Sequence, residues 1–136
     1  MEREVVSRSP EETRALGRET ARALAPGAVL LLFGGLGSGK TTFAKGVGDA
    51  CGVAAMVKSP TFALMQRYRG TPDLIHIDLY RQPEEASLDD LALDESAGDV
   101  ITLVEWPKGA ALVRWPRALR IRFEHADEGT RRILLP

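Results

Sequence analysis

The hydrophobic residues of this chain fall into short segments with two different patterns. Continuous apolar runs of five or six residues are typical of strands buried on both faces of a sheet, whereas alternation of apolar and polar residues is typical of a half-exposed strand. These patterns predict strands at residues 29–33, 62–68, 74–80, 100–105 and 119–124, and a C-terminal hairpin completed by residues 132–135 after a turn at 127–129. His125 falls in a loop in this assignment, and the acidic segment 83–93 is predicted to be helical or irregular.

A helix start precedes the first buried strand. Ser9 is suited to the N-cap position, with Pro10 at the first helical position and Glu12 placed to close a capping box. A weakly apolar face follows at helical spacing, and Pro26 with Gly27 is predicted to end the helix.

Composition limits the class of protein. A length of 136 residues with 44% hydrophobic and 27% charged residues is typical of one globular domain, which we expect to span residues 1–136. The net charge of −1 gives no general attraction to nucleic acid or to anionic membranes. The single cysteine, Cys51, excludes an internal disulfide and is most simply a core residue. The longest apolar run, residues 28–33, is too short to cross a bilayer, and the charged N-terminus is unlike a secretory signal, so we expect a cytoplasmic protein with no membrane contact.

The glycine cluster after the first buried strand matches a phosphate-binding pattern. Residues 34–41 read Gly-Gly-Leu-Gly-Ser-Gly-Lys-Thr and satisfy the P-loop motif G-x-x-x-x-G-K-[ST], between a predicted strand and a predicted helix that ends near Gly52. Glycines let backbone N–H groups face an anion, Lys40 would approach the β- and γ-phosphates, and the Thr41 hydroxyl would bind Mg²⁺. The predicted nucleotide-binding residues of this segment are Gly34, Gly37, Ser38, Gly39, Lys40, Thr41 and Thr42.

Two carboxylates stand at or near the ends of apolar strands, Asp78 and Glu105. Because ligands of parallel α/β sheets collect beyond the C-terminal ends of the strands, we expect at least one of them to bind Mg²⁺ or its water. Ser59 and Thr61 lie where GTPases carry a switch segment that senses the γ-phosphate, although a turn entering a strand explains them equally well. Trp106 either packs near the nucleotide or belongs to the core.

Other polar residues carry weaker signals. His76 alternates with isoleucines, which favours a packed or edge histidine over a catalyst. Several arginines make the C-terminal hairpin basic, and they suit either a solvated strand face or a patch for a partner or tRNA: Arg117, Arg120, Arg122, Arg131 and Arg132.

Together these features predict an α/β fold: a single P-loop NTPase domain with a mixed, mostly parallel central sheet flanked by helices and a C-terminal β-hairpin. The chain contains no asparagine and therefore no N-K-x-D guanine-recognition motif, which favours adenine or no strong base preference. No arginine finger is identifiable, so hydrolysis by the protein alone is predicted to be slow. A small-molecule kinase, for which no substrate lid is recognisable, and a non-catalytic ATP-dependent interaction module remain as alternatives.

Four sequence blocks occur in order between residues 34 and 107: G-x-L-G-S-G-K-T-T-F, V-K-S-P-T-F, H-I-D-L-Y-R and L-V-E-W-P. This set closely resembles the TsaE (YjeE) family, the ATPase of bacterial tRNA threonylcarbamoyladenosine biosynthesis. The family often has Asp at the position of Gly35 and Tyr at that of Phe62. The resemblance implies a cytoplasmic P-loop protein whose weak ATPase activity is used in a complex with TsaD and TsaB, with tRNA contact indirect or transient.

The resemblance also implies ligands and residue roles. ATP and Mg²⁺ would be bound, with Thr41 and Glu105 as the Mg²⁺ ligands. Asp78 would matter most for hydrolysis, either as a base or by ordering the water shell of the metal, and would form the catalytic set with Lys40 and Glu105. The nucleotide site would be completed by Ser59, Thr61 and Trp106.

Overall fold

The computed structural model describes residues 2–54, 57–58, 64–83, 88 and 99–136. Within these ranges the chain forms seven strands and three helices. In chain order they are β1 (Arg3–Ser7), α1 (Pro10–Arg22), β2 (Val29–Gly34), α2 (Lys40–Ala50), β3 (Met65–Tyr68), β4 (Asp73–Asp78), β5 (Val100–Glu105), α3 (Gly109–Arg114), β6 (Leu119–Asp127) and β7 (Thr130–Leu135).

All of the described strands join one mixed sheet in the order β1-β7-β6-β2-β5-β4-β3. The central strands β6, β2, β5 and β4 are parallel to one another, and the pairs β1–β7, β6–β7 and β3–β4 are antiparallel. The predicted fold class is confirmed, including the C-terminal hairpin of β6 and β7. The parallel centre places the C-terminal ends of β2, β4 and β5 at one edge of the sheet.

Both faces of the sheet are covered, which explains the continuous apolar runs of its central strands. On one face, Leu30 and Leu32 of β2 pack with Leu16 of α1 and Phe43 of α2 in the larger core cluster. On the other face, Leu31 belongs to a second cluster that includes residues of β4, β5 and α3. Cys51 is buried in the larger cluster, as predicted. None of the helices in the described ranges is long and apolar enough to span a membrane.

The start of α1 follows its sequence signal, and its end does not. Ser9 is the N-cap and its hydroxyl accepts the Glu12 amide at 3.1 Å, with Pro10 at the first helical position, as predicted. The Glu12 carboxylate accepts the backbone N–H of Arg8 at 2.5 Å rather than that of the cap residue itself. The helix ends at Arg22, several residues before the predicted stop at Pro26 and Gly27.

Other boundaries and two elements differ from the predictions. β4 ends at Asp78 rather than at residue 80, and His125 lies inside β6 rather than in a loop. β1 and α3 were not predicted, because each has only five or six residues and neither shows a clear period. Residues 59–63, which hold the start of the predicted strand 62–68, lie outside the described residues, as does most of the predicted segment 83–93.

Candidate nucleotide-binding site

A cavity of about 460 Å³ opens at the edge of the sheet where β2 passes into α2. The glycine-rich loop, the first turn of α2 and the ends of β4 and β5 contribute to its lining. The start of α1 and the turn between β6 and β7 also contribute lining residues. The lining residues are Ser9, Pro10, Thr13, Leu36, Gly37, Ser38, Gly39, Lys40, Thr41, Thr42, Asp78, Tyr80, Glu105, Trp106, Gly129 and Arg131.

The shape of the loop between β2 and α2 requires glycine at two positions. Gly37 has φ of 70° and Gly39 has φ of 107°, both in the left-handed region that residues with a Cβ rarely adopt. Gly39 is the N-cap of α2, and it provides no side-chain hydrogen bond to the exposed N–H groups of the first turn. These N–H groups are therefore available to an anion, and the positive end of the α2 dipole favours one.

Lys40 is buried beneath the loop that it follows. Its Nζ donates hydrogen bonds to the carbonyl oxygens of Gly34 and of Gly35, the latter at 3.1 Å. The same ammonium group lies 3.5 Å from the centre of the Trp106 ring, a cation–π contact. Burial lowers the pKa of Lys40, and the nearby carboxylates of Glu105 and Asp78 oppose that shift. A phosphate in the cavity would compete with the two carbonyl groups for this cation.

Glu105, the last residue of β5, contacts both the first turn of α2 and the neighbouring strand β4. Thr41 Oγ1 donates to both of its carboxylate oxygens at 3.2 Å, and His76 Nε2 lies 2.5 Å from Oε2. Glu105 and His76 are both buried, on the neighbouring strands β5 and β4. The carboxylate of Glu105 and the hydroxyl of Thr41 lie side by side at the cavity and are hard oxygen donors, the ligand type that Mg²⁺ prefers. Thr41 and Glu105 therefore fit a magnesium ion.

Asp78 lies beside Glu105 because the two residues are register partners at the ends of β4 and β5. Its Oδ1 accepts the backbone N–H of Tyr80 at 2.9 Å. Partial burial raises the pKa of Asp78, an effect that the Tyr80 hydrogen bond opposes and the nearby Glu105 charge reinforces. Asp78 is thus a partly desolvated carboxylate facing the cavity, a setting frequent in functional sites.

Trp106 follows Glu105 at the end of β5. It has φ of 55°, and its ring contacts that of Tyr80 at a centroid distance of 4.7 Å.

The structure brings most of the predicted site residues together around the one cavity. Gly34 is the exception among the described ones, because it lies below the loop, where its carbonyl group accepts from Lys40. Trp106 lines this cavity and is partly buried, so its place near a nucleotide stays a prediction. Ser59 and Thr61 lie outside the described residues, so the prediction of a switch segment stays a prediction.

Three features of the cavity and of its supporting contacts were missed from the sequence. His76 was interpreted as a packed residue, and it is buried, but it also contacts the carboxylate of Glu105. Its position two residues before Asp78 on the same strand was the available signal, since both side chains then share one face. Arg131 and the start of α1, with Ser9 and Thr13, also line the cavity, and no local sequence signal separates them from other surface residues.

Comparison with known proteins gives a consistent relationship. A family model described as threonylcarbamoyl adenosine biosynthesis protein TsaE matches residues 7–133. Proteins named tRNA threonylcarbamoyladenosine biosynthesis protein TsaE are similar to this chain. That of Bacillus subtilis is 46% identical over 100 residues, covering 72% of this chain and 62% of the relative, so that the match spans less than two thirds of that protein. That of Mycobacterium tuberculosis is 38% identical over 133 residues, covering 90% of this chain and 79% of the relative.

A more complete match comes from Aquifex aeolicus, whose protein of the same name is 37% identical over 134 residues, covering 96% of this chain and 93% of the relative. Among solved structures, a crystal structure of YdiB from Bacillus subtilis superposes with a TM-score of 0.76 at 33% identity, covering 99% of this chain and 84% of that one. The family model alone covers nearly the whole chain. This protein belongs to the TsaE family.

Proposed function

We propose that this protein binds ATP with Mg²⁺ and hydrolyses it slowly, in support of the N6-threonylcarbamoyladenosine modification of tRNA, within a complex that contains TsaD-like and TsaB-like proteins. The observation that carries the nucleotide part is the convergence of Lys40, Thr41, Asp78 and Glu105 on one cavity beside the N-terminus of α2. The names of its relatives support the link to tRNA modification. The protein would act as a single cytoplasmic domain whose contact with tRNA is indirect or transient.

The chemistry needs a binding surface for the triphosphate and compensation of its charge. The N–H groups of the loop and of the first turn of α2 would hold the phosphates, and Lys40 would contact them after leaving the carbonyl groups of Gly34 and Gly35. Thr41 and Glu105 would hold the magnesium ion. When bound, Mg²⁺ neutralises charge on the phosphate oxygens.

Asp78 is the residue proposed to act on water. Hydrolysis joins a water oxygen to the γ-phosphorus, breaks the bond to the ADP oxygen and releases a proton. The carboxylate of Asp78 would orient the attacking water or order the waters around the metal, and both roles need its ionised form. Because burial raises the pKa of Asp78, we expect hydrolysis to fall on acidification at a higher pH than an exposed aspartate would give.

The contacts of Arg131 at the cavity support the expectation that the protein alone hydrolyses ATP slowly. Within the described ranges, Arg131 is the arginine that lines it, and its Nη2 donates to the carbonyl oxygen of Gly37 at 2.9 Å. It is therefore committed to the loop rather than free to reach the γ-phosphate. This arrangement supports the expectation that a partner completes the site and stimulates hydrolysis.

One observation favours a nucleotide-dependent interaction module as the second candidate. Lys40 contacts the ring of Trp106, and that ring contacts Tyr80, a cavity-lining residue that is 48% exposed. Withdrawal of Lys40 towards a phosphate would change the environment of both aromatic rings. Nucleotide binding could in this way alter a surface for a partner without any hydrolysis.

The experiment that tests the proposal measures ATP turnover and tRNA modification with purified TsaD-like and TsaB-like proteins, with and without tRNA. We expect slow turnover alone, stimulation in the complex, and loss of turnover in Asp78→Asn with nucleotide binding retained. Asp73→Asn is the matched control, because Asp73 begins the same strand and pairs with Arg67 at 2.9 Å, away from the cavity.

The outcomes separate the candidates. Full tRNA modification by Asp78→Asn without turnover would favour the interaction module. Failure of the protein without substitutions to bind ATP would contradict both candidate functions. Turnover by the protein alone at rates typical of kinases would contradict the dependence on partners.

A further inference from the structure

The β6–β7 hairpin contacts the phosphate-binding loop through two side chains. His125 and Arg131 are cross-strand partners in this hairpin. Arg131 Nη2 donates to the carbonyl oxygen of Gly37 at 2.9 Å, and His125 Nε2 lies 3.4 Å from the carbonyl oxygen of Leu36. Two neighbouring residues of the hairpin therefore contact two consecutive carbonyl groups of the loop.

The contacted part of the loop has few other restraints. A Cβ placed on Gly35 or on Gly37 would have no atom within 4 Å, and Leu36 is 70% exposed. Further along the loop, a Cβ on Gly39 would lie 3.9 Å from Cγ of Arg131, so the aliphatic part of that arginine runs beside the loop. Residues 35–37 are thus poorly packed, and Arg131 supplies a charge-assisted hydrogen bond where packing is absent.

A phosphate-binding loop works only when its N–H groups point inward, and its carbonyl groups must then point elsewhere. A donor that binds an outer carbonyl group stabilises this orientation before the ligand arrives. The guanidinium group also brings a positive charge to the lining of the cavity, in addition to that of Lys40.

We propose that Arg131 is a positioning residue for nucleotide binding, which holds the carbonyl group of Gly37 outward and keeps the loop ready for phosphate. The proposal rests on the nucleotide site proposed above. Among the arginines of the β6–β7 hairpin, this role belongs to Arg131, which contacts the loop. Arg122 and Arg132 instead form ion pairs, with Glu2 at 3.0 Å and with Glu4 at 2.6 Å. Both lie on the other face of the hairpin from Arg131.

Arg132 provides a matched control for the test. It follows Arg131 directly, so its side chain points to the other face of β7, where it contacts Glu4 and, at 3.8 Å, Glu124. Arg131→Ala and Arg132→Ala remove the same side chain and the same charge from adjacent positions of one strand. A general effect of charge or of hairpin stability would therefore appear in both variants.

The experiment titrates ADP and a non-hydrolysable ATP analogue, each with Mg²⁺, into Arg131→Ala, Arg131→Lys, Arg132→Ala and the unmodified sequence by calorimetry, and measures the Tm of each ligand-free protein. We expect the Kd of Arg131→Ala to rise about tenfold and that of Arg132→Ala to stay within about twofold. Arg131→Lys should be intermediate, because lysine keeps the charge but loses the planar donor group. In turnover assays the loss should appear in KM rather than in kcat.

Equal affinity of Arg131→Ala and the unmodified sequence would overturn the proposal, as would equal weakening in the two alanine variants. If Arg131→Ala does not fold, Arg131→Lys decides, and unchanged affinity in that variant counts against the role. Absence of nucleotide binding by the unmodified sequence would instead remove the proposed function itself, so the two failures are distinguishable.

Discussion

Gly46 of α2 lies against α1 where the two helices cross, and its replacement by alanine tests this close approach. A Cβ at Gly46 would overlap the carbonyl oxygen of Arg14 and would lie 2.9 Å from both the carbonyl carbon of Arg14 and the amide nitrogen of Arg18. These are backbone atoms, so no side-chain rotation relieves the overlap. The helices must separate by about 1.5 Å to restore ordinary contact.

The sign of the effect distinguishes tertiary packing from local preference. In an open helix, glycine to alanine stabilises by about 1 kcal/mol. Overpacking of a close contact costs about 1–3 kcal/mol and occasionally more, and separation of the helices also stretches the Arg14–Asp49 ion pair, which measures 2.7 Å. We expect Gly46→Ala to lower the free energy of unfolding by about 2 kcal/mol and the Tm by about 7 °C.

The assay is urea unfolding, with thermal unfolding as a second measurement. Ala15→Gly, on the exposed side of α1, calibrates the helix-propensity difference in this protein. Gly17 of α1 lies in the same helix–helix contact, and Gly17→Ala places a Cβ against the carbonyl oxygen of Phe43 in α2. Because either substitution alone separates the helices, the variant with both should lose less free energy of unfolding than the sum of the two single losses. A Tm of Gly46→Ala at or above that of the unmodified sequence would refute the reasoning.

Three further predictions concern the cavity and its supports. Asp78→Asn should raise the Tm of the ligand-free protein by about 4 °C at pH 7. Because burial raises the pKa of Asp78, the folded chain binds its proton more tightly than the unfolded chain, and stability is lost as the pH rises between the two pKa values. The Tm difference should therefore shrink in acid, and a difference that grows there would contradict this. His76→Leu removes the 2.5 Å contact to Glu105 and should weaken ATP binding about tenfold with Mg²⁺ present but little in EDTA, measured by calorimetry with His76→Gln as the conservative control; equal losses in both conditions would count against it. Ser9→Ala removes the cap of α1, whose hydroxyl accepts the Glu12 amide at 3.1 Å, and should cost about 1 kcal/mol in urea unfolding without a change in the m-value; an unchanged midpoint would be the contrary result.

Features carried by contiguous residues were predictable. The loop at residues 34–41, the strand before it and the helix after it follow from apolar runs, glycine conformations and a local motif. The same reasoning predicted that β5 ends at Glu105, as it does, and that the strand containing Asp78 ends at residue 80, two residues later than β4 ends in the structure. These signals are local, because backbone conformation and strand periodicity depend on near neighbours in the chain.

Strand order decided which of these local features meet. Asp78 faces Glu105 because β4 lies next to β5 in parallel register, and the Thr41–Glu105–His76 contacts depend on that pairing. The pattern of residues in a strand shows which faces are buried but does not show which strand lies beside it. The sequence could place His76 on the same face of its strand as Asp78, but only the pairing of β4 with β5 brought that face against Glu105.

By itself the sequence determined that this protein has an α/β fold with a glycine-rich loop that matches the P-loop motif, and its ordered motifs indicated the family. The tertiary structure decided the rest of the cavity. Because β6 pairs in parallel with β2 up to the Gly34–Phe123 partners, the residues beyond Phe123 continue alongside the loop, and Arg131 reaches Gly37 across 94 positions of the chain. A contact over that separation leaves no periodic signal in the sequence, since it depends on how distant strands pair rather than on local backbone preference.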